Sequence, residues 1–247
     1  MVSLSNRKRA IINQLQTDIL RWQGFVLPQT PTEQIGLGQI EKAFPNGIFP
    51  TGCIHEFVGT TIEQASASSG FISGILSLLM RQQGTCLWIG LPRMLYPPAL
   101  KNFGITPDRV IFITVRRERE ILWAMEEALK CTGLAAVVAE LSELDFIRSR
   151  RLQLAAEKSK VTGFILRGKP VQVGSTACAA RWQINHLPSQ LEPGMPGVGF
   201  PRWNVELLKV RNGNPSSWQV EWFSGQFHPV SQYTTSTLWA MRNQKIG

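Results

Sequence analysis

Gly59, Gln64, Ala65 and Ser66 stand where a phosphate-binding loop would place its chemistry. The stretch Gly47-Ile48-Phe49-Pro50-Thr51-Gly52-Cys53-Ile54-His55-Glu56-Phe57-Val58-Gly59 reads as a turn and a strand, and a helical run to Leu79 follows after a loop. Such a junction binds phosphate when the loop amides and the helix N-terminus point at the anion. The P-loop pattern also needs a second Gly and then Lys-Ser/Thr, so that an ammonium reaches the β/γ-phosphates and a hydroxyl faces Mg²⁺. In Gly59-Thr60-Thr61-Ile62-Glu63-Gln64-Ala65-Ser66, Gln64 and Ala65 occupy the Gly and Lys places, and Glu63 adds a negative charge. Ser66 alone keeps its type. These residues predict a strand-loop-helix unit with its nucleotide chemistry removed, and no cofactor.

No other catalytic set can be assembled. His55, His186 and His228 lack recognisable companions for nucleophilic or acid-base work. Cys53, Cys86, Cys131 and Cys178 lie far apart without CxxC pairs, which argues against zinc and against a disulfide framework. They fit small buried residues in a reducing cytoplasm.

The elements that must position the loop follow an alternating plan. Cys53, Ile54, Phe57 and Val58 suit a buried strand, and Phe71, Ile72, Ile75, Leu78 and Leu79 form one helical stripe from about Ser66. Apolar runs at 85–90, 110–115, 134–140 and 161–167 predict four more buried strands. Between them, one helix has Ile121, Leu122, Met125, Ala128 and Leu129 on one face and turns Trp123 outward, where another segment or a partner would cover it. A second, over 144–158, carries Arg148 and Arg151 on one face with Lys158, and Arg150 elsewhere. Strands at 179–184, 203–210 and 218–222 follow, the last two joined by the hairpin signal Arg211-Asn212-Gly213-Asn214-Pro215.

At this point a family resemblance emerges. The segment from Ile48 to Gly59 resembles the RecA segment leading into its P-loop. Later segments are more similar to ImuA, the RecA-like subunit of bacterial inducible mutagenesis cassettes: Trp88-Ile89-Gly90 with Tyr96-Pro97-Pro98-Ala99-Leu100, Ser149-Arg150-Arg151-Leu152-Gln153-Leu154-Ala155-Ala156-Glu157, and Trp203 through Asn212. The resemblance covers roughly residues 30 to 225 and rests on the order of these segments. It implies an α/β RecA-like three-layer sandwich, a mostly parallel sheet with antiparallel edge strands. It also implies that Glu140 lies near the place of a Mg²⁺-holding aspartate, and that a carboxylate should end the second strand, yet no acid occurs between Gly84 and Lys101.

The implied role is that of a non-enzymatic assembly factor in SOS-type error-prone translesion synthesis. Its expected partners are an inactive Y-family-like polymerase subunit, an error-prone polymerase and RecA. Rival readings are an atypical ATPase, a DNA-binding recombinase paralogue and a SulA-type cell-division inhibitor.

The chain has 247 residues, enough for one sizeable core. The expected division is an N-terminal helix and linker over 1–30, a core over 31–225 and a tail over 226–247. No stretch reaches the roughly 18 apolar residues of a spanning helix, so no membrane association is expected. The expected location is the cytoplasm, with nucleoid association as an alternative. The net charge of +9, from 26 Lys+Arg against 17 Asp+Glu, favours polyanions or acidic partners. Arg148, Arg150, Arg151 and Lys169 are the candidates for weak DNA contact. The stripe Ile11, Leu15, Ile19 and Trp22 must dock on its own domain or on a neighbouring copy, which would make a homo-oligomer. With Trp123, the tail residues Leu238, Trp239 and Met241 complete the candidate partner contacts.

Overall fold

The computed structural model describes residues 34–81, 84–92, 95–168, 173–190 and 197–230, together with Lys8, Ile11, Gln14, Leu15 and Asp18. Ile19, Trp22, Lys169, Leu238, Trp239 and Met241 lie outside the described residues. The expected alternation is present: β1 (Ile54–Gly59), α1 (Ile62–Leu79), β2 (Thr85–Gly90), β3 (Val110–Thr114), α2 (Glu118–Ala128), β4 (Leu134–Leu141), α3 (Phe146–Ser159) and β5 (Thr162–Gly168). Then come β6 (Ala180–Leu187), β7 (Arg202–Val210), β8 (Ser216–Phe223) and β9 (Gln226–Pro229).

The described strands form one sheet in the order β3-β2-β4-β5-β1-β6-β7-β8-β9. Pairing is parallel from β3 across to β6, and antiparallel from β6 to β9. The inner parallel strands β1, β2, β4 and β5 are buried because helices lie on both faces of the sheet, whereas β3, expected as a buried strand, is at the edge and leaves Ile111 and Phe112 exposed. Phe57, Trp88, Val138, Phe164, Trp182, Val205 and Trp222 pack with α1 on one face. Ile54, Leu87, Val137, Ala139 and Ile165 pack with α2 and α3 on the other. This is the three-layer α/β sandwich expected.

Near the start of the core, a 3₁₀ turn over Gly38–Ala43 brings flanking Leu37 and inner Ile40 into the packed interior. One expected boundary changes. The sheet does not stop at 225: β9 follows a turn at Ser224-Gly225 and buries Phe227 against Phe71, Trp203 and Trp222. Gly74 of α1 makes room for that ring, since a Cβ there would fall 2.5 Å from Phe227 Cζ. Finally, Ile11 and Leu15 have helical backbone and are 52% and 56% exposed, so the core does not cover them.

His55 has a structural role. Its ring stacks on Phe49 at 4.4 Å, and Nε2 lies 2.8 Å from the Pro50 carbonyl. Burial pushes the imidazole down to about 4, so it stays neutral in the core.

Candidate functional site

The β1–α1 junction differs from an anion cradle in its geometry as well as its residues. The helix starts at Ile62, four residues before the expected Ser66, so the residues that would wrap a phosphate are helical. Thr61 caps it: its hydroxyl accepts from the Gln64 N–H at 3.2 Å. Gln64 Oε1 reaches back to accept from the Thr60 N–H at 2.7 Å, and Gln64 Nε2 donates to Asn185 Oδ1 at 2.8 Å. Two amides that would face an anion are therefore occupied by the chain itself. Gly59 permits this closure, because a Cβ there would lie 3.1 Å from Gln64 Cβ.

Below the junction a cleft of about 410 Å³ runs between α1 and the C-terminal ends of β1, β4 and β5. Its floor is a row across three strands, Phe57 beside Leu166 beside Glu140. Ala65, Ser66, Ser68 and Ser69 line it from α1, and Leu91 from beyond β2. Glu140 is 5% exposed, and its Oε1 accepts from the Trp88 indole N–H at 2.6 Å. Burial pushes this carboxyl up to about 7, which the indole N–H only partly offsets. Gly90 leaves space for the carboxylate, since a Cβ there would fall 3.0 Å from Glu140 Oε2. Glu140 thus leans from β4 towards the end of β2, a strand that carries no acid of its own.

Arg167 borders the cleft, but its guanidinium turns to the other face of the sheet. Nη1 donates to Glu56 Oε1 at 2.8 Å, Nε to the Ser142 carbonyl at 3.1 Å, and Nη2 lies 3.4 Å from Glu143 Oε2. Glu56 is wholly buried, and its Oε2 also accepts from Thr176 Oγ1 and Arg181 Nε, each at 2.8 Å. Among the described residues lining the cleft, Arg167 is the one cation, and these bonds turn its guanidinium away from a triphosphate.

On the α2/α3 side lies a groove of about 390 Å³, lined by Leu122, Trp123, Glu126, Glu143, Arg148, Arg151 and others. The structure here joins candidates that the sequence kept separate. Trp123 is 68% exposed, and no described segment of the chain covers it. Phe146 and Ile147 are exposed nearby on α3. Arg151 pairs with Glu126 at 2.6 Å and Arg148 with Asp145 at 3.3 Å, so this face carries balanced ion pairs rather than bare positive charge. Arg150 is exposed and outside the groove lining, as is Lys158.

Sequence reading missed Ser68, Trp88, Glu118 and the Glu56–Arg167 pair. Glu118, at the start of α2, accepts from the backbone N–H groups of Ser142 and Glu143, which ties the groove to the cleft rim.

No family model matches the chain. Over 207 residues it is 36% identical to Protein ImuA of Caulobacter vibrioides (strain NA1000 / CB15N), an alignment covering 78% of this chain and 85% of that protein. Over 114 residues it is 31% identical to the cell division inhibitor SulA of Photorhabdus laumondii subsp. laumondii, covering 44% of this chain and 64% of that one. Among solved structures the RadB recombinase superposes with a TM-score of 0.55 at 12% identity, over 81% of this chain and 100% of that one, which shows a RecA-like fold.

Proposed function

Because this chain belongs to the ImuA family of RecA-like mutagenesis proteins, we propose that it is a non-catalytic assembly factor in error-prone translesion DNA synthesis. It works by contact with an inactive Y-family-like polymerase subunit and an error-prone polymerase, with RecA as a further partner. The observation that carries this reading is Trp123, a large aromatic left 68% exposed in a groove with Arg148 and Arg151. Exposed aromatics and arginines are the residues that most often anchor protein interfaces.

Co-purification with the Y-family-like subunit tests the surface. Trp123→Ala should weaken binding by about 2 kcal/mol, roughly thirtyfold. Undiminished binding would refute the groove. A second variant ending at Val230 removes Leu238, Trp239 and Met241 while sparing β9, and it assesses the tail as a further anchor. Weak, salt-sensitive DNA contact through Arg148, Arg150, Arg151 and Lys169 is secondary, since two of these arginines already hold carboxylates.

The closed β1–α1 junction supports the absence of ATPase chemistry. Calorimetric titration with ATP and Mg²⁺ should show no binding tighter than about millimolar. Micromolar affinity that Ser66→Ala abolishes would instead establish the atypical ATPase.

The exposed Ile11 and Leu15 support self-association through the N-terminal stripe. Burying each such side chain is worth roughly 1.5–3 kcal/mol. Ile11→Asp with Leu15→Asp should therefore give a folded protein of smaller mass by light scattering. An unchanged mass would end that part of the reading.

A further inference from the structure

Two buried polar atoms in the cleft under α1 have no partner among the described residues. Ser68 is 1% exposed, and neither its Oγ nor Glu140 Oε2 has a hydrogen-bond partner among the described residues. Both residues line the same cleft. An unsatisfied buried polar group costs about 1–3 kcal/mol, so a ligand that supplies donors here removes a standing cost of the fold. We propose that the cleft binds an ammonium or guanidinium group carried on an apolar stem.

The lining selects this chemistry. Among the described residues, the charged ones bordering the cleft are Glu118, Glu140 and Arg167. Glu118 caps the Ser142 and Glu143 amides, and Arg167 is held by Glu56 on the far face of the sheet. An anion would meet carboxylates and closed loop amides. An organic cation would meet Glu140 Oε2, with Ser68 Oγ as a second acceptor and Phe57, Leu166 and Leu91 around its stem. A bare metal ion fits poorly, because no cluster of three or more His, Cys, Asp or Glu side chains that could hold one occurs among the described residues. The same head group comes on a free alkyl amine or guanidine, or on a Lys or Arg side chain of a bound protein.

The Trp88 indole N–H, bonded to Glu140, is a built-in reporter. Titrating the ¹⁵N-labelled full chain with butylguanidine should shift that resonance saturably at millimolar concentration or below, and Glu140→Gln should weaken binding about tenfold or more. Glu140→Gln keeps an oxygen for the indole, so the reporter survives. Ser68→Ala should weaken binding by a smaller factor. Affinity should rise from about pH 6 to about pH 8 as Glu140 ionises. Nα-acetyl-arginine amide binding as well as butylguanidine assigns the site to a protein side chain, whereas its failure to bind assigns it to a free ligand. The proposal is overturned by no saturable shift up to about 10 mM. A shift unchanged in Glu140→Gln, or a larger one from ATP, overturns it equally.

Discussion

Glu140→Gln should stabilise the folded chain by roughly 3 kcal/mol at about pH 8 and change it little at about pH 5. Burial raises this carboxyl from an ordinary 4.5 to about 7, so the folded state holds the proton more tightly than the unfolded one. Its contribution is therefore fully present below about 4.5 and is lost as pH rises through about 7. Each pH step between those values removes about 1.4 kcal/mol. Gln keeps the acceptor for Trp88 Nε1 and never ionises, so the variant escapes the loss. His55 works in the opposite sense: it is held down to about 4, so its contribution is present above 6.5 and is lost as pH falls through about 4. Subtracting the variant's urea-unfolding curve from the parent's at each pH isolates Glu140. Parallel stability curves across the range would show that the carboxyl is not desolvated as described.

That a buried acid sits near the end of β4 was half legible in the sequence. The run Leu134 to Glu140 marked the strand, and its alternation put Glu140 and Val138 on one face. Its partner Trp88 was not legible, because which strands neighbour β4 depends on sheet order rather than on local pattern. The closed junction had a local signal that helix periodicity overrode. Thr61 and Gln64 form the Thr-x-x-Gln spacing of a helix start, whereas the apolar stripe pointed to a start near Ser66. Trp123 was placed correctly on the outer face of α2. What the sequence could not supply was whether another segment crosses it, and none among the described residues covers it. The strand Gln226–Pro229 is only four residues long, too short for alternation to identify.

Glu56 and Arg167 were the least legible pair, since 111 positions separate them and no local spacing links the two. Their loss should have the larger effect on stability. Arg167→Met is expected to destabilise by about 3–5 kcal/mol in urea unfolding, a large part of the roughly 5–15 kcal/mol available to a domain. The reason is what the guanidinium leaves behind. Glu56 would stay wholly buried with Arg181 as its remaining ion-pair partner, and the Ser142 carbonyl would lose its donor. Changing both members, as Glu56→Gln with Arg167→Met, removes the stranded charge, so the double variant should be less destabilised than the sum of the singles by about 1 kcal/mol or more. Strict additivity would mean that the two side chains do not act as a pair. The consequence reaches both surfaces of the molecule. Arg167 holds Ser142 and Glu143, the same segment whose amides Glu118 caps from the start of α2. Ser142 and Glu118 border the cleft under α1, and Glu118 and Glu143 border the groove with Trp123. A milder change, Arg167→Lys, keeps one charge but loses the fork that spans Glu56 and the Ser142 carbonyl. It should leave the chain folded while broadening the amide resonances of 142–143 and weakening partner binding. Sharp, unshifted resonances there would show that the pair stabilises the sheet without positioning either surface.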